Sequence, residues 1–138
     1  MESLISIAVN PSGSRAYVAN LGSNNVTVID TATNTVVGAI AVGSAPFAIA
    51  VNPSGSRAYV ANRGSNNVTV INTASNTVVG APIAVGTNPS AIAFNPSGSR
   101  AYVANAGSDN VTVIDTATNT VVGAPIAVGT NPGGIAVK

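Results

Sequence analysis

"NPSGSRAYVAN" occupies residues 10–20 and returns without a change at 52–62 and at 95–105. Asn-Pro-Ser-Gly puts Asn first, Pro second and Gly fourth, which is the pattern of a type I turn followed by a bulge in a short hairpin. "RAYVAN" behind it reads as a strand. The stretch is thus the second half of a β-hairpin, and its three copies set a repeat. Tyr17, Tyr59 and Tyr102 mark the period, 42 residues and then 43. The extra residue is Pro82: "GAIAVG" at 38–43 becomes "GAPIAVG" at 80–86 and again at 123–129. A fixed period of this length signals a repeat architecture.

Working outward from the turn, one unit reads entirely as β. "PFAIAVN" (46–52) is a short apolar run without a polar face, the pattern of a strand covered on both sides. "RAYVAN" (57–62) is the second strand, "RGSN" (63–66) a loop, and "NVTVIN" (67–72), rich in β-branched residues, the third strand. "TASN" (73–76) is a turn in which Asn tolerates a left-handed backbone. "TVVGAPIAV" (77–85) is the fourth strand, and Pro82 makes it the outer edge, since proline cannot donate to a ladder. "GTNP" (86–89) crosses into the next unit.

Four antiparallel strands per ~40–45 residues is the period of a propeller blade. The sequence therefore predicts an all-β single repeat domain over 1–138, built of three four-stranded antiparallel blades. They span about 5–43, 46–86 and 89–129. "GGIAVK" (133–138) repeats the first-strand pattern and is expected as one extra inner-type strand. Near-identity of the copies points to recent amplification, or to an engineered or excised array.

Composition excludes several function classes. Apolar residues make up 46% of the chain, enough for a core, but only 7% are charged, so Ser, Thr, Asn and backbone must cover the surface. Net charge is +1, which gives no electrostatic footprint for nucleic acid or an acidic membrane. The chain has no Cys and no His, which removes disulfides, thiolate chemistry, the usual zinc, copper and haem ligands and the commonest general base. Mean hydropathy is +0.41. The most apolar stretch, 78–94, is broken by Gly80, Pro82, Gly86, Asn88 and Pro89, well short of the ~20 residues of a spanning helix, so no membrane insertion is expected. "MESLISIAVN" lacks a basic n-region and a cleavage site, so no signal peptide is expected.

"YVAN", "NNVTVIDTATNTVVGAIAVG" and their copies resemble the YVTN-type β-propeller repeat of microbial surface-layer and related secreted proteins. The resemblance covers nearly the whole chain. Ala19, Ala61 and Ala104 stand where that family has Thr, and Asn72 where it favours Asp, as at Asp30 and Asp115. The resemblance implies an extracellular or cell-surface location and a ring of about seven blades, against three here.

Three blades do not close a ring, and an open arc leaves two apolar blade faces in water, which marks association sites. The expected partner is therefore the chain itself. Two copies would give six blades, the favoured count, and three would give nine. Ile5, Ile7 and Val9 of the first strand and Ile135 and Val137 of the spare strand are the candidate self-association residues, through strand donation.

Other repeated residues read first as structure. Arg15, Arg57 and Arg100 follow the tight turns and read as solvated rim residues rather than an anion ring. Asp30, Asn72 and Asp115 close the third strands and read as turn stabilisers rather than a cation cage. Tyr17, Tyr59 and Tyr102 read as core plugs with hydroxyls bonded at the rim. Phe47 and Phe94 read as packing. Asn25, Asn67 and Asn110 each open an "NVT" sequon at the start of a strand. No catalytic residue, cofactor or metal ligand is expected. The function expected is a non-enzymatic, self-assembling propeller scaffold or interaction module. The alternative is a ligand-binding propeller that uses the central channel or a loop face.

Overall fold

A computed structural model describes residues 6–138. Blade 1 holds β1 (Ser6–Val9), β2 (Arg15–Asn20), β3 (Asn25–Asp30) and β4 (Thr35–Ala41) in that spatial order, all antiparallel. Blade 2 holds β5 (Pro46–Val51), β6 (Arg57–Asn62), β7 (Asn67–Asn72), β8 (Thr77–Val78) and β9 (Ile83–Ala84). Blade 3 holds β10 (Pro89–Phe94), β11 (Arg100–Asn105), β12 (Asn110–Asp115), β13 (Thr120–Val121) and β14 (Ile126–Ala127). The innermost strands β1, β5 and β10 lie side by side, as blades around an axis require.

The eleven-residue repeat closes each inner hairpin in the same way. Gly55 N–H donates to Asn52 O at 2.9 Å, and Asn52 Oδ1 accepts from Arg57 N at 3.0 Å. Gly55 sits at φ +78°, a conformation open to glycine and costly for most residues. The Asn that ends "YVAN" fixes the next loop. Asn62 is fully buried, and its Nδ2 donates to Asn67 Oδ1 at 2.9 Å and to Thr69 Oγ1 at 2.8 Å.

Cores form between blades rather than within them, because each sheet is one layer thick. Val26, Val28 and Ile40 of blade 1 pack on Ile49, Ala58, Val60 and Ile71 of blade 2. Tyr59, Val68, Val70 and Ile83 of blade 2 pack on Ala101, Val103 and Ile114 of blade 3. The Tyr59 ring meets the Phe94 ring edge-on, centroids 5.0 Å apart, and its hydroxyl donates to Asn119 Oδ1.

One expectation changes. The fourth strand is continuous only in blade 1. In blades 2 and 3, Gly80 (φ +66°) with Pro82, and Gly123 (φ +68°) with Pro125, split it into two short strands that both pair with the third strand. Pro82 and Pro125 are exposed at the outer edge, as proline requires. Residues 133–138, expected to be donated to a second copy, form no strand within the chain. Their inner place requires a free β2-type neighbour, and β2, β6 and β11 are each already paired by the strand before them.

Candidate functional site

Each seam between blades is laced at one end by the crossover loop. At the first seam Ala45 N–H donates to Asn24 Oδ1 at 2.9 Å. Arg63 N–H then donates to Ala45 O at 3.0 Å, and Gly64 N–H to Ser44 O at 2.9 Å. At the second seam Asn88 N–H donates to Asn66 Oδ1 at 3.0 Å, Ala106 N–H to Asn88 O at 2.9 Å and Gly107 N–H to Thr87 O at 2.9 Å. These bonds place the residue after "YVAN" and the residue after the crossover proline at the mouth of the seam.

There the chain forms a cavity of about 360 Å³ lined by Phe47, Arg63, Ser90, Ala106, Asn131, Pro132 and Gly133. The Arg63 guanidinium carbon lies 4.9 Å from the centre of the Phe47 ring, a cation–π contact. Ser90 Oγ donates to Pro132 O at 3.0 Å and ties the segment after blade 3 to the cavity wall. Asn131 N–H donates to Asp109 Oδ1 at 2.8 Å, the counterpart of the Asn24 and Asn66 bonds. The lining carries one cation and no carboxylate.

The other arginines are spent elsewhere. Arg15 and Arg100 face Asp30 and Asp115 across β2–β3 and β11–β12 at 3.4 Å and 3.5 Å, half-exposed pairs of small energetic weight. Arg57 faces Asn72 in the same register and donates to Ser56 O. Asp30, Asn72 and Asp115 accept from Ala32, Ala74 and Ala117 N–H at 2.9, 3.0 and 2.9 Å, the turn-stabilising role expected of them. Tyr17 and Tyr59 are core residues, and burial raises both phenol pKa values, with Arg15 and Arg57 respectively opposing the rise. Tyr102 is only half-buried. Asn25, Asn67 and Asn110 open β3, β7 and β12, and each amide oxygen accepts from the "YVAN" Asn at 2.9 Å.

Among the candidate self-association residues, Ile7 and Val9 are exposed at 60% and 54%. Ile135 and Val137 are half-buried. Ile5 lies outside the described residues. Phe47, expected as packing, is half-buried in β5 and also lines the cavity under Arg63. Arg63 carried no repeated signal. The mark that finds it is its difference from Leu21 and Ala106 at the same repeat position.

Residues 7–122 match the family model described as lactonase, 7-bladed β-propeller. Hydrazine synthase of Kuenenia stuttgartiensis superposes with a TM-score of 0.89 at 33% identity, over 94% of this chain and 37% of that one. A functionally unknown protein from Desulfotomaculum acetoxidans DSM 771 gives 0.85 at 21% identity, over 100% of this chain and 46% of that one. A putative 6-phosphogluconolactonase from Bacteroides fragilis NCTC 9343 gives 0.79 at 20% identity, over 93% and 40%. Among curated proteins, the PE-PGRS family protein PE_PGRS18 of Mycobacterium tuberculosis is 58% identical over 40 residues, 29% of this chain and 8% of that one. The chain thus spans less than half the length of these proteins. The matches support the propeller, and not the surface-layer type in particular. They also overturn the expectation of a non-enzyme, because the matching family model is one of lactonases and points toward hydrolase chemistry.

Proposed function

The chain belongs to the lactonase, 7-bladed β-propeller family, and on that premise we propose that it supplies three blades to a closed ring, a second copy of the chain filling the remaining places. One difference carries this reading. Ile40 and Ile83 are 5% and 7% exposed because the next blade covers them, whereas Ile126, the same residue in blade 3, is 50% exposed. At the other end Ile7 and Val9 of β1 are open where Ile49 of β5 is covered.

The polar lacing is equally unfinished, and complementary. Ala45 O and Asn88 O each accept from the residue after the next blade's "YVAN", but Asn131 O has no such partner among the described residues. Leu21 N–H and Gly22 N–H, the counterparts of the Arg63 and Gly64 donors, are likewise uncommitted among the described backbone bonds. One open face offers acceptors and the other donors at the same register, beside matching apolar rows. Such head-to-tail faces close into a ring when the rotation permits. Lactone opening, the chemistry in the family's description, then belongs in this reading to the closed ring rather than to the three-blade arc. Residues 133–138 would meet β1 of the second copy at one inner place, with Ile135 and Val137 competing against Ile7 and Val9.

Native mass spectrometry at micromolar concentration tests the proposal. The expected species has twice the chain mass of 13.4 kDa. A sharp single-chain mass sinks it, and a three-copy mass replaces six blades with nine. Hydrolysis of a simple δ-lactone, followed by acid release, is expected to track the assembled fraction.

A further inference from the structure

We propose that the cavity at the mouth of the second seam binds a small organic carboxylate with a flat apolar body. The first observation is where the copies differ. Phe47, Ser90 and Gly133 are one repeat position, Arg63 and Ala106 another, and Asn131 stands where blade 1 leads into blade 2 with Ala45. All of them line the cavity, and of its walls only Pro132 repeats unchanged, as Pro46 and Pro89. Residues that fold a blade are copied intact, as the eleven-residue stretch shows. Several departures gather around this one space, while others, such as Asn72, Phe94 and Asp109, lie outside it.

The second observation is the state of Arg63. It makes no ion pair among the described residues, and no carboxylate lines the cavity. Its guanidinium rests on Phe47 at 4.9 Å. No side-chain hydrogen bond of Arg63 is formed among the described residues, so its guanidinium donors are free, and such donors match a carboxylate bidentately. Phe47, Ala106 and Pro132 offer apolar surface beside the charge. A volume of about 360 Å³ suits a compact ligand. The inner strands β5 and β10 carry no charged side chain; their ends supply Phe47 and Ser90 to the cavity, and the charge comes from Arg63 in the loop after β6. The cavity is built by one chain, and its wall at residues 131–133 adjoins the face where a second copy would join.

The repeat itself supplies clean test variants. Arg63→Ala and Phe47→Ser install the residues that blade 3 already carries at these positions, so the fold tolerates them. Benzoate, its neutral isostere benzamide and inorganic phosphate are titrated against the intact chain by NMR, reading the Arg63 Nε–H and ligand saturation transfer. Benzoate is expected to bind at least about tenfold more tightly than benzamide, the scale of one charge-assisted pair. Arg63→Ala is expected to remove that preference, Arg63→Lys to reduce it, and Phe47→Ser to weaken benzoate and benzamide alike. Phosphate is expected to bind more weakly than benzoate, since it lacks the apolar body. Equal binding of benzoate and benzamide, benzoate binding unchanged in Arg63→Ala, or no benzoate binding at all overturns the proposal. Each outcome is read at a concentration where native mass shows the single chain, so a failure here is distinct from a failure of ring closure.

Discussion

Blade 2 and blade 3 spell almost the same strands and meet different fates. Blade 2 is covered on both faces, and Tyr59, Val60, Val68, Val70 and Ile71 are almost fully buried. Blade 3 is covered only toward blade 2, so Tyr102 is half-buried and Ile126 and Val128 are exposed. The same letters therefore contribute little or much according to whether a neighbour is present. Stability in such an array resides in the seams, as nearest-neighbour behaviour in repeat proteins requires.

The largest effect expected from this contrast is at the paired isoleucines. Ile83→Ala empties a filled seam and is expected to cost about 3 kcal/mol. Ile126→Ala at the same blade position is expected to cost about 0.5 kcal/mol or less in the dissociated chain, and to appear as weakened pairing of copies instead. Urea unfolding of both variants at low and high protein concentration separates the two terms. Equal losses at all concentrations would erase the distinction between filled and open faces.

Next come the crossover glycines. A Cβ on Gly86 would lie 2.6 Å from Asn105 Cγ and 2.5 Å from Ser108 Oγ, both held by their own hydrogen bonds, whereas one on Gly129 meets nothing within 4 Å. Gly86→Ala is expected to destabilise the blades by about 1–3 kcal/mol through overpacking. Gly129→Ala is expected to leave the single chain untouched and to block pairing, because a second copy would bring its own Asn20 and Ser23 to that space. Thermal melting together with native mass distinguishes the cases. A Gly129→Ala chain that still pairs fully would show that the copies meet through a different face.

What was legible in the sequence divides along the same line. Strand order, the hairpin turn, the outer place of Pro82 and Pro125 and the turn role of Asp30 follow from local chemistry, which every copy carries. The cavity was not legible, because repetition drew attention to the identical Arg and Tyr sets, while the residues that gather are the ones that break the repeat. Phe47 and Arg63 are sixteen positions apart in the chain, and only the lacing of loop to loop brings the arginine over the ring. The spare segment at 133–138 marks the same limit. Its pattern specifies an inner place, but a pattern does not say whether that place is vacant.

A smaller effect depends on pH. Burial raises the phenol pKa values of Tyr17 and Tyr59 above the ordinary value near 10. A raised folded pKa favours the neutral phenol, so this contribution is whole below the unfolded value and is lost as pH rises through the folded one. The melting temperature is expected to hold steady up to about pH 9.5 and to fall above it. A steady value well beyond that point would mean that both hydroxyls reach water.

The smallest effect turns the comparison toward blade 1. Ala45, Asn88 and Asn131 hold the same crossover place with φ of +52°, +52° and +56°. Left-handed backbone costs an ordinary L-residue roughly 1–2 kcal/mol, and Asn escapes part of that through its short polar side chain. The lacing forces the conformation regardless of the residue, since the N–H and C=O of Ala45 are both committed, to Asn24 and to Arg63. Blade 1 thus enters blade 2 through a strained alanine, where blade 2 enters blade 3 through a relaxed asparagine. Ala45→Asn is expected to stabilise the chain by about 0.5–1 kcal/mol, a rise of about 2–4 °C in melting temperature for a chain of this size. Asn88 shows that an asparagine fits beside the glycine after "YVAN", so the gain is not offset by crowding at the equivalent Gly64. The reverse change, Asn88→Ala, is expected to lose a similar amount. If both variants melt with the parent chain, the crossover place is indifferent to its residue, and the strain assigned to the first seam is absent.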